Sequence, residues 1–120
     1  MQRIVRKSDL EKLLKEYLDR QGFTKSVKLL ATHIFSSVEL DGVARITSIM
    51  LENVSGLTSS TISTYRTKLR TAGLFSANRV GQCPVFHYRF NFNVLGEEKI
   101  LALEEVGLGS DFEIVLVEIR

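Results

Sequence analysis

TSIMLENVSGLTSSTISTYRTKLRTAGL, residues 47–74, reads as two short helices joined by a tight turn. Thr47 or Ser48 can cap the first helix, because a hydroxyl there accepts one of the backbone N–H bonds that a helix start leaves unpaired. Ile49, Met50 and Val54 are expected to give that helix its apolar contacts. Gly56 stands where the helix must stop and the chain reverse, and glycine reaches a left-handed conformation without a Cβ clash. Leu57 plugs the corner, and Thr58 is a good cap for the second helix. Ile62, Tyr65 and Leu69 recur at three- and four-residue spacing, which builds one buried stripe. The face left over is Ser59, Ser60, Ser63, Thr64, Arg66, Thr67 and Arg70.

Short hydroxyls and arginines with no carboxylate among them are what a phosphate-lined groove accepts. No Asp or Glu occurs between Glu52 and Glu97, whereas Arg66, Lys68, Arg70, Arg79 and Arg89 all fall inside that window. With Ala72, Gly73 and Leu74 ending the second helix, the pattern resembles the winged helix-turn-helix family over residues 24–93. The resemblance implies an α+β fold, a three-helix core plus a β-hairpin wing, that binds double-stranded DNA sequence-specifically. It also implies a small dimeric transcriptional regulator with helix 58–72 in the major groove and half-sites about one helical turn apart. On that footing Ser59, Ser60, Ser63 and Thr64 approach base edges or phosphates, with Thr67 on the same face. Arg66 and Arg70 reach farther, to guanine or to phosphate oxygens, while Lys68 and Arg79 supply phosphate attraction. Winged helices also serve as protein-docking modules, so the alternative is an interaction subunit of a replication, transcription or partition assembly. A docking surface has no physical need to exclude every carboxylate, which favours DNA.

Upstream, the basic tip Arg3, Arg6 and Lys7 precedes Ser8, which can cap a helix over residues 8–21 whose Glu11 follows in the reciprocal capping arrangement. Leu10, Leu13, Leu14, Tyr17 and Leu18 form its apolar stripe. The stripe packs either on the chain's own core or on a second subunit; the family resemblance, in which added terminal helices pair subunits, implies a homodimer through the terminal elements. A helix from Thr24 presents Val27, Leu30, Ile34 and Phe35, with Leu29, as its buried face, and the resemblance makes it the first helix of the core. Asp41 and Gly42 signal a turn into a short strand, in which Val43, Arg45 and Thr47 alternate with Ala44 and Ile46.

Residues 74–92 read as a hairpin, with strands at 74–80 and 84–92 around Gly81, Gln82 and Cys83. Phe86, Tyr88, Phe90 and Phe92 share one face of the second strand, and Val85, His87, Arg89 and Asn91 share the other. The aromatic face reads as core rather than as a base-stacking platform. Pro84 fits a strand start. In the family resemblance this hairpin is the wing, with Arg79 and Gln82 at its tip. Residues 94–120 extend the fold by a helix at 95–106 and a strand at 112–119, which either covers the sheet or offers an edge to a second chain.

The 120 residues, 44% of them apolar, suit a single domain spanning 1–120. Apolar runs are broken by charge well short of a bilayer span, and no signal-peptide core opens the chain, so a cytoplasmic, intracellular protein without membrane contact is expected. The lone Cys83 has no disulfide partner in the chain. Net charge is +2, distributed as +4 over residues 1–30, +3 over 31–92 and −5 over 93–120. No enzyme is expected: the glycines form no phosphate loop, and nothing activates His33, His87 or Cys83. Glu97, Glu98, Glu104 and Glu105 read as solvated charge rather than metal ligands, and neither cofactor nor metal is expected.

Overall fold

Gln2–Arg6 forms strand β1, and the chain passes from it into helix α1 (Lys7–Arg20) with no intervening loop in the computed structural model. The structure describes residues 2–79, 85–96 and 114–118. The leucine stripe of α1 does what its spacing predicts: Leu10, Leu13, Leu14, Tyr17 and Leu18 are all buried, against the chain's own core. The start of α1 differs from expectation. Ser8 lies inside the helix, the cap position is Arg6 with φ −72° and ψ 136°, and no side chain caps it. Arg6 Nε instead lies 3.2 Å from Asp9 Oδ2. Pairing of β1 decides where the extended backbone ends, and that overrides the local capping signal.

Helix α2 (Lys25–Ser36) buries Val27, Leu30, Ala31, Ile34 and Phe35, but leaves Leu29 exposed. Strand β2 (Val43–Thr47) follows a turn at Asp41 and Gly42, with the Val43 N–H donating to Asp41 Oδ1 at 3.1 Å. Two helices come next, α3 (Ser48–Ser55) and α4 (Ser59–Thr71), then strands β3 (Phe75–Arg79) and β4 (Val85–Phe90). β4 is the central strand of a three-stranded antiparallel sheet in the order β2-β4-β3, so the segment before the helix pair and the hairpin after it meet in one layer. Phe75, Tyr88 and Phe90 are buried on the helix-facing side. Phe90 meets Phe35 of α2 edge-to-face at 5.5 Å between centroids, a geometry that aligns ring edge with ring face. The aromatic face of the second hairpin strand is thus core, as its alternation suggests.

Beyond β4 the chain leaves the sheet in a 3₁₀ turn, Phe92–Leu95, with Phe92 and Leu95 buried. Asn91 Oδ1 accepts the Asn93 N–H at 3.3 Å and sets this turn, ending the strand earlier than the alternation alone implies. The helix expected at 95–106 lies outside the described residues from residue 97 onward. Strand β5 (Ile114–Glu118) is present, and its partner is β1, antiparallel, in the register Gln2↔Glu118 to Arg6↔Ile114. Nothing in the composition of the basic N-terminal tip marked it as a strand. The described residues therefore form an α+β fold of four α-helices with a three-stranded antiparallel sheet and a separate two-stranded ribbon. Among them no helix is long and apolar enough to cross a membrane.

Candidate nucleic-acid interface

The turn between α3 and α4 is built from the hydroxyls and glycine that mark it in sequence. Thr47 Oγ1 accepts the Met50 N–H at 3.1 Å and starts α3. Gly56 ends it in the left-handed region at φ 71°. A Cβ added there would meet nothing within 4 Å, so backbone conformation rather than space calls for glycine. Ser55 Oγ accepts the Leu57 N–H at 3.2 Å, and Thr58 Oγ1 accepts the Thr61 N–H at 3.3 Å, which opens α4. Ile62 and Leu69 anchor α4 in the core, with Tyr65 and Leu57 packed partly against it. At the other end, Tyr17 Oη of α1 donates to the Ala72 carbonyl at 3.0 Å, satisfying an orphan carbonyl of the α4 C-terminus. Burial raises the Tyr17 phenol above its ordinary pKa, partly offset by the charge of Arg20.

The α3 contacts are a correction. Only Leu51 of α3 is buried, whereas Ile49, Met50 and Val54 are 63%, 53% and 52% exposed. With α3 starting directly after β2, the strand's exit direction selects which side of the helix faces inward.

Opposite the buried stripe, 3.6 residues per turn align Ser60, Thr64 and Thr67 along the middle of the exposed face of α4; all three side chains are exposed. Thr64 Oγ1 donates to the Ser60 carbonyl at 3.1 Å and Thr67 Oγ1 to the Ser63 carbonyl at 3.0 Å. Each hydroxyl proton is thus held by the helix, and the lone pairs that remain can accept from base amino groups. Ser59, Ser63 and Arg70 are exposed along the flank that also carries Arg66. Lys68 lies on the opposite flank, its ammonium 5.8 Å from the Tyr65 ring centroid.

Arg66 does not project freely. It is half-buried, its Nε donates to Tyr88 Oη at 3.0 Å, and its guanidinium carbon lies 4.1 Å from the Phe86 ring centroid and 5.9 Å from that of Tyr88. One side chain therefore joins α4 to β4. Burial raises the Tyr88 phenol above its ordinary range, and the charge and hydrogen bond of Arg66 act against that rise. Sequence reasoning placed Phe86 and Tyr88 in the core and missed this second role. An arginine on the helix that must cover an aromatic strand face is the signal that could have revealed it.

Arg79 is exposed at the end of β3, paired across the sheet with Phe86. Arg89 is not brought to this surface: it alternates with Tyr88 and so points from the opposite side of the sheet, across from Val43 and Ser76. Gln82, expected at the hairpin tip, lies outside the described residues. Among the described residues no three His, Cys, Asp or Glu side chains gather where they could hold a metal. No protein-family model, curated protein or solved structure matches the chain.

Proposed function

We propose that the chain is a winged-helix protein that binds double-stranded DNA, with α4 in the major groove and the β3–β4 hairpin as the wing, acting as a small dimeric transcriptional regulator in the cytoplasm. The observation that carries this reading is the outward face of α4, where only hydroxyl and cationic side chains are exposed. Ser60, Thr64 and Thr67 face base edges, while Ser59, Ser63, Lys68, Arg70 and Arg79 meet the sugar-phosphate backbone. The terminal β1–β5 ribbon has strand edges on which a second copy can pair, which supports the dimer.

Fluorescence anisotropy with random-sequence duplex DNA, repeated from low to physiological salt, tests the reading. Several phosphate contacts give a log–log slope of several units, roughly 0.9 per phosphate neutralised. A second reading, a winged-helix subunit docking a protein partner, is favoured by the exposed Ile49, Met50 and Val54 on α3. Partner binding that survives high salt, with no retardation of duplex DNA, selects it.

A further inference from the structure

Arg66 packs on the Phe86 ring from α4, and Arg79 of β3 is the cross-strand partner of the same residue. The register pairs Arg79 directly with Phe86, and side chains so paired share a sheet face with Cβ atoms about 5 Å apart. The Phe86 ring also lies 4.1 Å from the Arg66 guanidinium. Among the described residues neither arginine has a carboxylate within ion-pair distance, whereas Arg45 is met by Asp41 and Glu39, and Lys28 by Asp19. Two unneutralised cations carried on neighbouring positions around Phe86 are an attractive place for an anion that can lie between them. Ser63 sits one turn before Arg66 on the same exposed flank of α4 and offers a hydroxyl to the same space.

The orientation of Arg66 narrows the chemistry. With Nε held by Tyr88 and the guanidinium carbon 4.1 Å from the Phe86 centroid, its remaining donors are the Nη groups, whose planar fork matches phosphate oxygens. We propose that Arg66 and Arg79 close on one phosphodiester group of the bound strand over the Phe86 ring, so that Arg66 holds backbone and reads no base. This rests on the DNA-binding reading above and assigns the chemistry of one contact within it.

The test is anisotropy with random-sequence duplexes of several compositions, comparing the full chain with Arg66→Lys, Arg79→Ala and the double variant, each checked for folding by circular dichroism. Arg66→Lys keeps the charge but loses the fork and the Tyr88 bond. It should weaken binding by roughly tenfold to a hundredfold, the size expected for a charge-assisted hydrogen bond, and equally for all duplexes. Arg79→Ala should weaken binding equally for all duplexes while lowering the salt slope by less than about one, because Arg66 still neutralises the shared phosphate. The double variant should fall little below the weaker single variant, since both arginines serve one phosphate. As a variant that spares both cations, Tyr88→Phe should weaken binding in the same sequence-independent way. Independent, multiplying losses overturn the clamp, as does an Arg66 effect confined to particular sequences. Wild-type binding with unaffected variants removes the clamp alone, and absence of salt-dependent wild-type binding removes the DNA reading with it.

Discussion

Tyr88 is a fully buried side chain with a hydroxyl, and a buried hydroxyl is costly unless it is hydrogen-bonded. The Arg66 Nε supplies that bond at 3.0 Å from a helix 22 residues earlier in the chain. Removing the acceptor by Tyr88→Phe is expected to cost about 1.5–3 kcal/mol, the range for a bond involving a charged group. Urea unfolding measures it, and an unchanged midpoint would mean that the bond adds nothing. The same residue predicts a pH dependence. Its phenol is raised from the ordinary 10.0, chiefly by burial, so the folded state holds the proton more firmly than the unfolded chain. The stability linked to it is complete below pH 10 and is lost as pH rises through the folded pKa. Tyr17 shifts in the same direction, so Tyr88→Phe should make the alkaline loss of stability shallower without abolishing it. A wild-type slope in the variant above pH 10 would assign the effect elsewhere.

The helix pair tests how local chemistry makes an element. Thr58→Ala removes the cap of α4 and should cost about 1 kcal/mol. Gly56→Ala meets no steric obstacle but keeps a left-handed backbone at φ 71°, for a similar cost of roughly 1–2 kcal/mol. By contrast Ile49→Ser and Val54→Ser change exposed positions and should stay within about 0.5 kcal/mol; a loss of several times that would place these side chains in contacts the folded chain does not show. This contrast also explains what was legible in the sequence. Thr47, Gly56 and Thr58 act on their own backbone, so their meaning is local and they fall where expected. Inward orientation is not local in an eight-residue helix where Ile49, Met50, Leu51 and Val54 surround most of the cylinder, and only the exit from β2 chooses Leu51. The site followed the same division: the hydroxyl face of α4 could be read from its period, whereas the capture of Arg66 required knowing that α4 covers β4.

The two ends of the described chain meet, and no local signal announces it, because an antiparallel pair between residues 2 and 118 is set by distant sequence. A two-stranded ribbon is marginal in water on its own. Here it is held by Val5 and Val117, both buried in the core cluster. Since Val5 stands opposite Val115, Val117 is its diagonal neighbour on the same face. Each change to Ala should therefore cost about 1–2 kcal/mol as a buried truncation, and the double variant should differ from the sum by roughly 0.5 kcal/mol or more because the sites touch one core region. Thermal or urea unfolding gives that coupling. The ribbon pairs outside the sheet that adjoins α4, so on the proposed DNA-binding reading the affinity of a folded protomer for a single half-site should be unchanged well below the unfolding midpoint. If Val117→Ala leaves the protomer folded but converts a dimer to a monomer and lowers affinity for paired half-sites alone, the ribbon acts as the subunit contact. If affinity for single half-sites falls equally, it acts on α4 through the core, along α1 and the Tyr17 bond to Ala72.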